Sequence, residues 1–241
     1  MKITCNGRYE VGSIDNRLCA FEKEDIVLDA GTGQGYYIGQ LSQKCNTVCA
    51  IDINLSLLKS IREGHTYENV ILLYADLRKI PIKSRYFDKI ICLEVLEHLA
   101  APLEIIREQY RVLKPKGICV IAVPTYESEL IYSKLNPRYD RNKGEHITIL
   151  RKQQWLRMFE ETGFTISAVS NENFAPAVHW IFRSIFPTHY DASSGGFAQL
   201  SLVDKILLVG MDRVDRLTFG AFYRCGNRLF PKSWYFYLRK G

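Results

Sequence analysis

Four carboxylates, Asp29, Asp52, Asp76 and Glu94, each close a short apolar run, in "IVLDA", "CAID", "LLYAD" and "IICLE". An acid at the end of a strand often only caps the following turn. Four at corresponding ends would instead line one edge of a sheet with hydrogen-bond acceptors. Directly after the first of them, "GTGQG" places Gly31, Gly33 and Gly35 where side chains would crowd a ligand approaching the backbone. A pyrophosphate would meet the charge of Asp29 there, whereas a ribose, an amino group and a cationic centre suit such an edge. Asp52 lies about twenty residues past the glycines, the spacing at which an acid holds ribose hydroxyls. The loop reads GxGxG, not the GxGxxG of dehydrogenases.

Candidates for a general base are few. His146 in "KGEHITIL" is the candidate for catalysis; His98 in "LEVLEHL", Tyr126, His179 and Tyr190 are the other side chains that could line a substrate pocket. No metal site is expected. The seven cysteines are odd in number and scattered, and the loose pair Cys45 and Cys49 lacks a second ligand pair. That pattern implies a reducing, cytoplasmic setting.

The elements that must position these residues alternate regularly. Strands are expected at 25–30, 46–53, 69–76, 87–94 and 117–124, all nearly continuous apolar runs suited to a parallel sheet buried on both faces. Helices are expected at 35–44, 54–64, 101–117 and 151–164, the third with Leu103, Ile106, Tyr110 and Leu113 along its apolar face. The alternation defines an α/β, doubly wound, mostly parallel sheet.

The stretches "VLDAGTGQG", "AIDIN", "YADLRKIPIKSRYFDKIICLEVLEHL", "VLKPKGICVIAVP" and "GEHITILRKQQWLRMFEETGF" occur in this order. Together they resemble the class I S-adenosylmethionine-dependent methyltransferases, in particular the small-molecule group that includes ubiquinone and menaquinone biosynthesis enzymes. The likeness covers roughly residues 15 to 170. It implies a Rossmann-like seven-stranded sheet whose last strand is antiparallel, and S-adenosylmethionine as cofactor. It further implies that Gly31, Gly33 and Gly35 lie against the methionine and ribose, with Asp29 near the methionine end. Asp52, followed by Ile53, would take the ribose hydroxyls; Asp76 and Leu77 would meet adenine. Leu93 and Glu94 would flank the transferable methyl, and His146 would lie on a substrate-facing loop. Amine methyltransferases carry Asn-Pro-Pro-aromatic after strand four, and "CLEVLEHL" replaces it here, which disfavours a nucleic-acid adenine and removes DNA as a partner.

"GFTISAVSNE" (163–172) and "SWYFYLRK" (233–240) read as strands six and seven. Residues 1–172 and 231–241 thus form the expected cofactor-binding core, and 173–230 a helical insert, a lid or substrate-selecting element. The expected reaction is methyl transfer to a small, rather apolar acceptor such as a lipid, a quinone precursor or a secondary metabolite. The alternatives are an RNA methyltransferase, suggested only by the mild net charge of +6, and a non-catalytic S-adenosylmethionine-binding interaction protein. Aromatic residues mixed with Arg213, Arg216, Arg224, Arg228 and Lys232 also suit peripheral membrane contact by the insert.

Overall fold

A computed structural model describes residues 9–11, 13–64, 67–135, 146–175, 177–179, 202–218 and 220–241. Seven strands form one sheet: β3 (Ile26–Ala30), β4 (Thr47–Asp52), β5 (Val70–Tyr74), β6 (Phe87–Leu93), β7 (Leu113–Pro124), β8 (Phe164–Glu172) and β9 (Ser233–Lys240). Their order is β5-β4-β3-β6-β7-β9-β8, and β9 runs antiparallel to both neighbours while the pairs from β5 to β7 are parallel. The order reverses between β3 and β6. That reversal opens the crevice at the strand C-termini where ligands of such sheets bind.

Neighbouring residues of the central strands bury on opposite faces. Leu28, Ile90, Cys92 and Ile121 pack with Trp155, Phe159 and Phe236 on one side. Val27, Ile91, Leu93 and Val120 pack with Tyr235 and Tyr237 on the other. Burial on both faces is why these strands lack alternation in the sequence.

The helices are α1 (Ile38–Ser42), α2 (Leu55–Gly64), α3 (Pro102–Val112), α4 (Tyr126–Leu135), α5 (Lys152–Glu161), α6 (Leu202–Leu217) and α7 (Ala221–Leu229), with a 3-10 turn at Leu96–His98. Three differences from the sequence-based expectation have physical causes. Helix α3 stops at Val112, and its buried face is Pro102, Ile105, Ile106, Gln109 and Val112. Pro115 has no N–H and Lys116 adopts φ 64°, so 113–117 pass into β7 through a register irregularity instead of continuing the helix. Helix α4 occupies a stretch expected to be loop; the Thr125 hydroxyl caps it, accepting from Ser128 N–H at 3.1 Å. A hairpin of β1 (Tyr9–Val11) and β2 (Ile14–Asp15) was not expected at all; Val11 and Ile14 are fully buried, and Asp15 N–H donates to the Tyr237 hydroxyl at 2.9 Å.

The described part of the insert is helical. Asp215 Oδ1 accepts from Tyr223 N–H and ties α6 to α7. Asn227 joins α7 to the core, donating to Glu172 Oε2 at 3.0 Å and accepting from Phe174 N–H at 2.8 Å. The chain then reaches β9 with Lys232 lying between Glu172 and Thr125: Lys232 N–H donates to Glu172 O, and Lys232 O accepts from Thr125 N–H. This junction sits at the C-terminal ends of β7 and β8.

Candidate functional site

The loop after β3 is built on backbone hydrogen bonds. Gly31 and Thr32 N–H both donate to Ile51 O at 2.9 Å, fastening the loop to β4. Gly31 has φ 79°, and a Cβ there would lie 2.6 Å from Val95 Cγ2, so packing alone requires glycine. Gly33 differs. Its φ is 55°, yet a Cβ would meet nothing within 4 Å. Its missing side chain faces open space.

Asp52, at the end of β4, is held from two sides: Oδ2 accepts from Gly33 N–H and Oδ1 from Asn54 N–H, both at 2.8 Å. The carboxylate has about four lone-pair sites, so each oxygen keeps capacity for a hydroxyl. Ile53 beside it is 64% exposed, a large apolar side chain at the rim. Asp29 is buried and accepts from the Thr32 hydroxyl at 2.7 Å. Burial pushes its carboxyl up to about 6, the Thr32 hydrogen bond opposing and the Asp52 charge adding to the rise.

Asp76 follows β5, and Ala75 N–H donates to Asp52 O, so the two acids stand on adjacent strand ends. Both Asp76 oxygens are engaged by Arg78, through its backbone N–H and its guanidinium at 2.6–3.1 Å. These bonds hold the Asp76 carboxyl below its ordinary range. Leu77 is buried beside it.

Leu93 is buried and Glu94 takes φ 56°, its N–H donating to Ala122 O. Glu94 Oε2 accepts from Lys232 Nζ at 2.7 Å. Burial resists ionisation of Glu94, but the Lys232 charge and hydrogen bond more than offset it, and the carboxyl lies below its usual range.

His146 stands across from this pair. Its Nδ1 is 3.0 Å from Glu129 Oε1 of α4, and its ring centroid is 4.7 Å from that of His98. Ile147 and Thr148 N–H both donate to Glu97 O at 2.9 Å, which fastens the segment before α5 to the 3-10 turn after β6. Tyr126 lies under the Arg151 guanidinium at 4.4 Å. His179 lies in the helical residues 177–179, and Tyr190 is outside the described residues.

Three residues of this group escaped the sequence reading: Glu97, Glu129 and Lys232. Glu97 had a visible signal, being three residues after Glu94 and next to His98 in "EVLEH". Glu129 lies on the unexpected helix. Lys232, grouped in the sequence with the basic residues suited to membrane contact, instead turns inward, largely buried, onto Glu94 138 residues away.

A doubly wound sheet with an acid-lined crevice, an open glycine loop and an antiparallel last strand defines the class I methyltransferase architecture. The chain belongs to the family described as methyltransferase domain, which it matches over residues 7–169. Class I members of that family use S-adenosylmethionine. Among relatives, a malonyl-[acyl-carrier protein] O-methyltransferase of Marinomonas sp. is 34% identical over 101 residues, 41% of this chain and 37% of that one. A ubiquinone biosynthesis O-methyltransferase of Histophilus somni is 24% identical over 187 residues, covering 72% of each chain. A geranyl diphosphate C-methyltransferase of Streptomyces coelicolor, solved with Mg2+, geranyl diphosphate and S-adenosylhomocysteine, shares the fold with TM-score 0.61 at 14% identity, over 94% of this chain and 74% of that one. The chain spans between about a third and two thirds of the length of the first curated relatives.

Proposed function

We propose that the chain transfers the methyl group of S-adenosylmethionine to a small, rather apolar acceptor, of the class to which lipids and quinone precursors belong. The observation that carries this reading is the pairing of Asp52 with Gly33. The carboxylate is fixed to the loop, keeps lone pairs for a diol, and stands next to a glycine whose Cβ position opens on unfilled space.

In this reading Asp52 holds the ribose hydroxyls, Leu77 covers the adenine, and Asp29 faces the methionine end. Asp76 meets the adenine amine only when Arg78 releases one of its oxygens. The donor supplies an electrophilic methyl on a sulfonium whose charge vanishes in transfer. The chain's contribution is therefore alignment and exclusion of water, not strong acid or base chemistry. His146, with Glu129 on Nδ1, is the group placed to take a proton from an acceptor that must lose one. The two curated relatives named above are O-methyltransferases, which favours an oxygen acceptor.

Helices α6 and α7 leave Ile206, Leu217 and Leu229 exposed beside Arg213 and Arg228, a composition suited to gathering an apolar acceptor or touching a membrane surface. No helix among the described residues is long and apolar enough to cross a membrane.

Titration calorimetry with S-adenosylhomocysteine tests the cofactor assignment, and a labelled-methyl assay over lipid and quinol extracts tests transfer. Binding without transfer to any acceptor would favour a non-catalytic role; no binding by folded protein would overturn the reading.

A further inference from the structure

Glu97 has no part in the chemistry described so far. It is 1% exposed, and both of its carboxylate oxygens are buried with no hydrogen-bond partner among the described residues. A buried carboxylate without a partner is costly and calls for a cation. Lys232 does not serve: its ammonium is bonded to Glu94, and no hydrogen bond reaches Glu97.

Two imidazoles face the orphaned group. His98 Nε2 and His146 Nε2 are each 4.0 Å from Glu97 Oε1. One ligand atom from each of the three residues can be chosen so that all lie within 4.8 Å of one another. Donors bound at ~2.1 Å to one ion stand at most ~4.2 Å apart, so small side-chain rotations would close the set. The backbone already holds it together, since Glu97 and His98 share the turn after β6 and the residues following His146 bond to the Glu97 carbonyl. Glu129, 2% exposed, sits on His146 Nδ1 and leaves Nε2 directed at Glu97. A carboxylate on the far nitrogen of a histidine is the usual support of a metal ligand.

We propose that Glu97, His98 and His146 bind one divalent first-row transition-metal cation, with Glu129 as the residue that positions His146. Imidazole donors favour iron, nickel, copper or zinc over magnesium or calcium, with manganese the weakest binder of the first-row series and the one read directly by paramagnetic resonance, and two histidines with one carboxylate leave coordination positions open. In the sequence the cysteines show no ligand spacing and the two histidines lie far apart; here turn and loop bring the histidines together around Glu97. The set begins three residues after Glu94, which the family resemblance puts beside the transferable methyl. Resting on the proposed function, the open positions take an oxygen of the acceptor, which selects acceptors bearing a hydroxyl or carboxylate; with the ion bound, His146 Nε2 is a ligand and not the base, and the metal orients and acidifies the acceptor hydroxyl in its place.

The test uses the full chain after chelation and dialysis, titrated with Mn2+ while the free ion is followed by electron paramagnetic resonance. One Mn2+ bound per chain is expected. Glu97→Gln and His146→Ala should abolish that binding, and His98→Ala, at a side chain 43% exposed, gives a variant whose folding is not at issue. Glu129→Gln should weaken Mn2+ binding by roughly 10–100-fold with an unchanged metal-free melting midpoint. Failure of the folded wild type to bind Mn2+, or equal binding by the His98→Ala variant, overturns the site. Calorimetry with S-adenosylhomocysteine on the metal-free chain separates the two conclusions. Cofactor binding without Mn2+ binding sinks only the metal site, and Mn2+ binding without cofactor binding sinks only the proposed function.

Discussion

Replacing Lys232 by Met tests the electrostatics of the crevice directly. The change keeps most of the aliphatic stem and removes the ammonium bonded to Glu94 Oε2 at 2.7 Å. Lys232 and Glu94 side chains are 18% and 27% exposed, so the pair is mostly but not wholly shielded from water. Leaving one charge of a fully buried pair uncompensated costs about 3–5 kcal/mol, and the residual exposure lowers the expected loss to about 2–4 kcal/mol. In a chain of this size that amounts to roughly 5–15 °C in Tm. The loss should depend on pH with a definite sign. Glu94 sits below the ordinary carboxyl range, so its contribution is present above the unfolded value and disappears as pH falls through the folded one. In the variant burial is opposed only by the Ser233 hydrogen bond and the His146 charge, the Glu94 carboxyl rises, and acidification costs the folded state less. The gap between wild type and variant, measured by urea unfolding, should therefore be widest at neutral pH and narrow in acid. Glu94→Gln on the Lys232→Met background should recover most of the gap. A loss independent of pH, or no recovery in the double variant, would show that Lys232 acts by packing.

Asp52→Ala should weaken S-adenosylhomocysteine binding by about 1.5–3 kcal/mol in calorimetry, the range for hydrogen bonds to a charged group; an unchanged affinity would remove it from the ribose. Asp29→Asn should stabilise the apo protein by about 2–3 kcal/mol at neutral pH. The wild-type carboxyl is raised from 3.8 to about 6, so its favourable contribution is complete below the lower value and lost as pH rises through the upper. Unfolding curves on both sides of that window check the sign, and equal stability at neutral pH would refute it. Gly31→Ala, whose new methyl would strike Val95, should lower Tm, whereas Gly33→Ala should cost only about 1–2 kcal/mol of backbone strain while blocking the cofactor. Comparable cofactor affinities for Gly33→Ala and wild type would mean that the open space is not where the cofactor lies.

The order of elements was readable because each central strand is an uninterrupted apolar run and each helix has a stop signal close by. Those signals are local, as in "IVLDAG" and "IREG". What could not be read depends on remote partners. The β1–β2 hairpin is buried by Tyr237 from the other end of the chain. Helix α4 has a weak apolar face and is held by Thr125, whose hydroxyl donates to Pro231 O across more than a hundred residues. Asp29, Asp52 and Asp76 were legible as acids at strand ends; the grip of Arg78 on Asp76 is a local exception, illegible because nothing in the sequence fixes the rotamer of an exposed arginine. The individual histidines were visible, and their convergence on Glu97 was not.

The position of β9 between β7 and β8 has a consequence for assembly. Strand β8 makes no ladder with β7 and joins the sheet only through β9, sixty positions further along. During synthesis the parallel strands β3 to β7 can pair as they emerge, but β8 must wait for a strand made much later. Lys232, the residue just before that strand, arrives in the same step. A nascent chain halted before it would carry the parallel strands with Glu94 lacking its counter-charge, so that carboxylate is paired only when the sheet is closed.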